Sequence, residues 1–506
     1  MDAPIEPEAE SIQAQRRFRK RWIGWAFVSV WALVAVWNVV KPMPPGTNVS
    51  TASIGAQAED VQFVYDLTTA TPKGEPVHEQ RIFDETFRIV DEAESFVVAD
   101  FFLINDMMGG KNAHRPLSRE LADHLLARKA AKPDLSILLL TDPINDVYGG
   151  LPSKLLNELR AAGIDVVSTN LNALRDSNPA YSSLWRMFIQ WWGNSPDGGS
   201  MMNPFVDADA GDATPITLRS WLALMNFKAN HRKVMVADRA DGSLTALVTS
   251  ANPHDGSSAH SNVAIRFNGP LAQHIVDSEM AVARFSGWKG HVYASTQTQP
   301  AQQVLDPPVQ LAFLTEEAIR KHLLDAIDTT RNGDAVAIAT FYISDRKIVD
   351  ALVRAASRDV NVRLILDPNR DAFGRQKDGV PNRPVASELV RRSDQKIQVR
   401  WYRTHGEQFH TKLALITHGE QLIASVGSAN LTRRNIGNYN LEANIALQMR
   451  SDSALALEIR SYFDRLWNND GPPGTSFTAD YGAWRDDELG RYWRYRLMEA
   501  TGLGTF

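Results

Sequence analysis

Apolar positions along the chain fall into three patterns. The first is an unbroken uncharged run, "WIGWAFVSVWALVAVWNVV", residues 22–40. As a helix rising about 1.5 Å per residue it comes close to the ~30 Å of a bilayer's hydrocarbon core, and it predicts one transmembrane helix. The second pattern is short blocks rich in β-branched and aromatic residues, such as "VVADFFLIND" (97–106) and "VAIATFYISD" (336–345), which suit buried strands. The third is helix-like spacing between those blocks, in "LSRELADHLLARKAA" and "KIVDALVRAASR". Strands alternating with helices imply α/β lobes whose sheets are largely buried.

The blocks occur twice. "LLLTDPINDVYGG" (138–150) matches "LILDPNRDAFGR" (364–375), aligning Asp142, Pro143, Asp146 and Gly149 with Asp367, Pro368, Asp371 and Gly374. The chain therefore reads as an internal duplication of two α/β lobes, each a mixed sheet flanked by helices, behind one N-terminal transmembrane helix. The expected division is a tail at 1–21, the span at 22–40, a linker at 41–80, a first lobe at 81–300 and a second at 301–506. The copies differ in length at one place. Gly149 and His231 are 82 positions apart, whereas Gly374 and His410 are 36 apart. The excess is an aromatic insertion near 171–228, in which Leu184, Phe188 and Trp191, or Trp185, Phe188 and Trp192, share a face at helical spacing. It is read either as a helix packed on its own lobe or as an interfacial lid that dips into lipid. The aromatic tail with Trp484, Tyr492, Trp493 and Tyr495 is read as ordinary packing, with a membrane surface as the alternative.

Composition adds limits. With 44% hydrophobic and 22% charged residues the chain is ordinary globular material, and its net charge of -5 supplies no broad basic field for nucleic acid. Zero cysteines exclude disulfides, thiol catalysis and thiolate metal sites. Arg16, Arg17, Arg19, Lys20 and Arg21 crowd the front of the apolar run and only Lys41 follows it, so the positive-inside rule puts the short tail in the cytoplasm and the body outside. "KPMPPGT" after the run has no small-x-small cleavage pattern, which favours an anchor over a signal peptide.

The chemistry sits in a repeated His-x-Lys. "NHRKVMVAD" holds His231, Lys233 and Asp238, and "FHTKLALIT" holds His410 and Lys412 with Thr417 where the first copy has its acid. Each is followed by a strand-like run and a Ser-x-Asn cluster, Ser250 with Asn252 and Ser428 with Asn430. Residues two apart in a strand face one side, so two lobes meeting face to face would pool two imidazoles, two ammonium groups and several neutral donors. That is an oxyanion site for a phosphodiester, in which the lysines and asparagines hold non-bridging oxygens. One histidine would attack phosphorus while the other gives a proton to the leaving alkoxide and later takes one from the incoming alcohol or water. No metal or other cofactor is required.

"HRKVMVAD" with "TSAN", and "HTKLALIT" with "GSAN", resemble the paired HKD motifs of the phospholipase D superfamily, and residues 80–470 look most like its cardiolipin synthase branch. The resemblance implies two phospholipase D-like lobes around one shared site, a phosphohistidine intermediate, a phospholipid substrate, His231 as nucleophile and His410 as acid and base. It further implies that a Glu after the Ser-x-Asn cluster braces a histidine, a place held by Glu442. Aligning "HSNVAI" with "EANIAL" puts His260 opposite Glu442. Thr417 departs from the pattern, which suggests that the acid of the motif is its least chemical member. Asp142 and Asp367, each before a proline, are read as turn residues.

The expected function is thus phosphatidyl transfer or phospholipid hydrolysis by a single-pass enzyme of a bacterial inner membrane, with its body on the periplasmic side and no nucleic-acid partner. A metal-independent extracytoplasmic nuclease and a non-catalytic phospholipid-binding descendant are the alternatives. A eukaryotic secretory setting is disfavoured because Asn430, Leu431 and Thr432 form a glycosylation sequon inside the expected site.

Overall fold

The computed structural model describes residues 7–71, 73–107, 115–195, 198–206, 214–291, 306–372 and 375–506. Gly374, matched above to Gly149, and parts of the 171–228 insertion lie outside the described residues.

The chain starts with α1 (Pro7–Val40) and a short β1 (Ile54–Ala56). The first lobe runs β2 (Val61–Ala70), β3 (Pro76–Glu79), α2 (Ile82–Glu92), β4 (Phe96–Phe101), α3 (Leu117–Ala131), β5 (Ser136–Thr141), α4 (Lys154–Ala161) and β6 (Asp165–Ser168). The insertion follows with α5 (Pro179–Leu184), a π-turn over Trp185–Ile189 and α6 (Leu218–Leu224). The lobe closes with β7 (Lys233–Asp238), β8 (Leu244–Thr249), β9 (Asn262–Asn268) and α7 (Leu271–Phe285). The second lobe begins with β10 (Val309–Thr315), α8 (Glu317–Asp328), β11 (Ala335–Thr340), α9 (Arg346–Ser357) and β12 (Asn361–Leu366). A hairpin of β13 (Asp371–Ala372) and β14 (Arg375–Gln376), α10 (Asn382–Arg392) and β15 (Gln398–Tyr402) come next. It ends with β16 (Lys412–His418), β17 (Gln421–Gly427), α11 (Arg433–Ile436), β18 (Ala443–Arg450), α12 (Ala454–Asn468), β19 (Thr478–Asp480) and α13 (Leu489–Thr501).

The duplication is written in the sheets. The first is ordered β3-β2-β9-β8-β7-β4-β5-β6 and the second β1-β10-β18-β17-β16-β11-β12-β15-β19, so seven strands correspond in order. In each, three strands run parallel (β4, β5, β6; β11, β12, β15) and the rest pair antiparallel, giving a mixed sheet. Alternation along the strands builds three apolar layers. Val234 and Val236 of β7 enter a central layer with Phe313, Leu413 and Ile445 of the second sheet, while Met235 and Ala237 enter the layer under α2 and α3. The second lobe has its own outer layer under α8, α9 and α10.

Residues 41–80 correct the expectation of a linker. β1 pairs with β10 of the second sheet, and β2 pairs with β9 of the first. The segment therefore straps both lobes, because Val61, Phe63, Val64 and Leu67 have apolar area to bury. Behind the interface, the guanidinium of fully buried Arg232 reaches Glu279 at 3.0 Å and Ser278 at 2.9 Å in α7, and Glu316 of the second lobe at 2.8 Å. Removing the cation leaves two carboxylates buried without it. Arg232→Leu is expected to cost about 3–5 kcal/mol of stability in urea unfolding, the range for a broken buried ion pair.

Candidate active site

Each histidine stands at the entrance of a central strand, and its backbone is fixed from two sides. One is an aspartate just after a strand one place removed in the sheet, β5 beyond β4 in the first lobe and β12 beyond β11 in the second. Asp142 closes its own turn by accepting from Ile144 N at 2.8 Å and accepts from Asn230 N, one residue before His231, at 2.7 Å. Asp367 does the same with Asn369 N at 2.6 Å and with Phe409 N, one residue before His410, at 2.7 Å. The turn reading is thus half of their role. Burial pushes both carboxyls up to about 7, against the pull of these N–H donors.

The other side is the opposite lobe. His231 N donates to Leu441 O at 2.9 Å, and Ser261 N donates to Gln408 O at 3.2 Å. These paired bridges carry the next residue of each partner segment to the imidazole of the other lobe. His231 Nδ1 lies 2.8 Å from Glu442 Oε1, and His410 Nδ1 lies 3.1 Å from Asn262 Oδ1. The two braces are equivalents. Ser250 Oγ donates to Asn262 as Ser428 Oγ donates to Glu442, and Ser250 N bonds Val263 O as Ser428 N bonds Ala443 O, both at 2.9 Å. The strand register agrees: Thr249 pairs with Ala264, and Gly427 with Asn444. This corrects the alignment of His260 with Glu442, which is out by two residues. His260 instead stands beside the site, its ring centroid 5.7 Å from that of His410.

The four central groups come together. The two imidazole centroids are 6.5 Å apart at an interplanar angle of 70°, both rings line one cavity, and both Nδ1 atoms are engaged while neither Nε2 has a hydrogen-bond partner among the described residues. Lys233 Nζ donates to His231 O at 2.8 Å and Lys412 Nζ to His410 O at 2.9 Å. Phe102 and Phe341 flank them as a further symmetric pair, with ring centroids 5.3 and 5.6 Å from the respective ammonium groups. Sequence reasoning missed both rings, although "FFLIND" and "FYISD" place them alike. Asn252 Oδ1 accepts from Leu103 N at 3.3 Å, while Asn430 Oδ1 is buried with no partner among the described residues. Asn435, also missed, donates to Glu442.

Asp238 is not brought to this site, which corrects its placing among the catalytic groups. At the far end of β7 its carboxylate accepts from Ser95 N at 2.9 Å and Phe96 N at 3.0 Å and so ties down the start of β4. Thr417 at the matching place has no such task. There Asp334, before β11, accepts from Arg331 N at 2.7 Å and Gly419 N at 3.0 Å and meets His418 Nδ1 at 2.8 Å. The carboxylate has moved to the other strand, so the lost acid is a rearranged turn.

Buried cations dominate the electrostatics. Burial lowers His231 to about 4 against the opposing pull of Glu442, with Lys233 and Lys412 adding to the fall. Burial and then Lys412 hold His410 well below the ordinary imidazole range. Burial lowers Lys233 to about 7 and Lys412 well below its usual value. An entering anion relieves all four at once. Among the described residues no group of three His, Asp or Glu side chains is arranged to hold a metal ion.

The site opens into a cavity of about 650 Å³. Phe205, Trp221, Leu224 and Phe227 of the insertion give it an apolar lining, and Lys377, Gln408 and Arg434 add polar groups, with the Arg434 guanidinium 5.3 Å from the Phe227 ring. The insertion also meets α1. Trp31 Nε1 donates to Ala180 O at 3.0 Å, and the Phe27 and Phe188 rings lie 6.2 Å apart. Trp185 is buried, whereas Leu184, Phe188, Trp191 and Trp192 point outward.

Residues 323–467 match the family model described as "Cardiolipin synthase, PLD-like domain". No curated protein matches the chain significantly. Among solved structures, the phosphatidylserine synthase of Haemophilus influenzae Rd KW20 is similar at 10% identity and a TM-score of 0.53, covering 92% of this chain and 99% of that one. That likeness is one of fold. Nuc, a phospholipase D family member from Salmonella typhimurium, aligns at 18% identity and a TM-score of 0.25 over 35% of this chain and 99% of its own.

Asp238→Ala is expected to destabilise the protein by about 2–4 kcal/mol in denaturant unfolding, since several buried donors lose their acceptor. Turnover by the folded protein should stay within about twofold of the parent, because no reacting atom is touched.

Proposed function

The chain belongs to the phospholipase D superfamily, and from that premise we propose that it is a membrane-anchored phosphatidyltransferase or phospholipase that works through a phosphohistidine. The observation that carries this reading is the pair of imidazoles 6.5 Å apart, each held through Nδ1 by the opposite lobe and each presenting Nε2 to one cavity. A phosphorus between them can be attacked from one side and released on the other.

Roles follow from the unequal braces. Glu442 is a carboxylate, so it stabilises the positive charge that His231 acquires when Nε2 bonds phosphorus. His231 is the nucleophile, and burial keeps it neutral at working pH. Asn262 is neutral. Its Nδ2 donates to His260 O at 3.1 Å, which turns Oδ1 toward His410 and holds Nδ1–H there without favouring imidazolium. His410 is therefore the readier proton donor once the phosphate charge is bound. In the first step the His231 Nε2–P bond forms, the P–O bond of the leaving alcohol breaks, and that oxygen takes the His410 proton. In the second the acceptor hydroxyl returns a proton to His410, attacks phosphorus and displaces His231. Lys233, Lys412, Asn252 and Asn430 hold the non-bridging oxygens.

Substrate and location are read from the surroundings. An apolar wall beside a cationic centre fits a lipid phosphodiester, and a wall poor in water favours an alcohol as acceptor. The apolar run of α1 at residues 22–40 lies in a helix that is long and apolar enough to cross a membrane and is mostly exposed, and the basic cluster before that run supports a body on the periplasmic side of a bacterial inner membrane. Phe188 touches α1 at Phe27, thirteen residues before Val40 and so about 20 Å along the helix, which draws the insertion into the bilayer with it.

His410→Asn should leave attack on a p-nitrophenyl phosphatidyl ester intact, because that leaving group needs no proton, yet stall the second step. Intact-mass analysis is expected to find an acid-labile phosphatidyl adduct on His231; no adduct, or one elsewhere, contradicts the roles. Asn262→Asp puts a carboxylate against His410 and raises its pKa. Activity needs that group protonated, so the descending alkaline limb of the kcat/KM profile should move upward by about 1–2 pH units.

A further inference from the structure

We propose that α13 is a second membrane contact, an interfacial helix laid on the bilayer that α1 crosses, so that the catalytic pocket opens toward lipid between two membrane-bound elements. The pocket would then draw its phospholipid from the membrane in preference to soluble phosphodiesters. This rests on the reading of α1 as a membrane span.

The helix is amphipathic in the sense such a role needs. Leu489, Trp493 and Leu497 recur every fourth residue and are 71%, 64% and 62% exposed, while Tyr495 and Glu499 on the other side are buried. Tyr495 is anchored there by Arg346 at 2.8 Å. At about 100° per residue, Arg494 and Arg496 fall on the two flanks of the apolar stripe. Arg494 pairs with Asp378, and Arg496 donates to Tyr492 Oη at 2.9 Å. Cations along both edges of an apolar stripe match a layer of anionic head groups.

Continuity with α1 identifies the occupant. The helix ends at Gly502, in the left-handed region at φ 74°, where an added Cβ would lie 2.0 Å from Ser177 O. Arg434 joins the same two segments, reaching Gly502 O at 2.7 Å and Ser177 Oγ at 3.3 Å. Ser177 precedes α5, and α5 accepts the Trp31 indole of α1. The C-terminal end of α13, with exposed Leu503 just beyond it, is thus joined through Ser177 and α5 to α1. The pocket lies between them. Trp221 and Leu224 of the insertion line it from one edge, and Thr505 and Phe506 just after α13 line it from the other.

The chain has no cysteine, so a single Leu497→Cys gives a unique site for a nitroxide in the full-length protein. The expected result, in vesicles of phosphatidylcholine and phosphatidylglycerol, is collision with oxygen favoured over a water-soluble nickel chelate, as for a Leu33→Cys control on α1. A lipid-exposed control with a nickel-accessible Leu497→Cys label overturns this proposal alone, and spin–spin broadening between α13 labels assigns the face to a second copy instead. Nickel access at both positions overturns the anchor and this proposal together. In a parallel measurement, Trp493→Ser and Leu497→Ser should each lower turnover of vesicle phosphatidylglycerol about tenfold and leave turnover of bis(p-nitrophenyl) phosphate unchanged. Equal losses on both substrates, or none on either, count against it. Absence of turnover by the parent protein on both substrates contradicts the catalytic reading and leaves the spin-label result to decide the helix.

Discussion

The site depends on an exchange across the lobe interface: each imidazole is oriented by a residue that belongs to the other lobe. Glu442 reaches His231 and Asn262 reaches His410 only because backbone bridges at Leu441 and Ser261 join the two motif strands to their opposite numbers. Neither lobe contains a finished histidine. Docking therefore sets tautomer, ring orientation and local charge in one event, and Arg232 backs it by spanning α7 and Glu316, whose Oε1 also accepts from Glu442 N at 3.1 Å. An ion triad remote from the pocket is thus in contact with the brace of His231.

The second organising constraint is positive charge out of water. Two ammonium groups and two imidazoles are buried around one cavity, an electrostatic discomfort that Glu442 only partly offsets, and burial pushes all four groups below their usual ranges. Binding an anion and lowering that discomfort are the same event. In the proposed reaction negative charge grows at phosphorus, and on that reading the arrangement favours the transition state over the bound ester.

Much of this was legible in the residues. The duplicated Asp-Pro turns, the His-x-Lys pairs and the Ser-x-Asn clusters gave the lobes and most of the central groups, because those residue types sit at fixed offsets from strands whose alternation is plain. The brace of His410 was not. A one-residue slip turns a strand's apolar set outward and is easy to see, but a two-residue slip keeps every side chain on its face, so pairing His260 with Glu442 looked as good as the true match with Asn262. Residues 41–80 were missed for another reason. Although β2 and β3 form a local hairpin, β1 and β2 reach the two lobes through partners about 200 or more residues away, and no local pattern carries that information. Asp238 misled because a motif letter says nothing of distance: it stands five residues beyond Lys233 on an extended strand, about 16 Å along it.

The unequal braces have a historical implication. Were the two lobes separate copies of one polypeptide, any change to the bracing residue would appear at both histidines together, and the two imidazoles would be forced to share one environment. Joining the copies head to tail removes that tie. Once Glu442 and Asn262 are encoded at different places, the surroundings of the two imidazoles can be tuned independently, and a difference between otherwise matching groups becomes heritable.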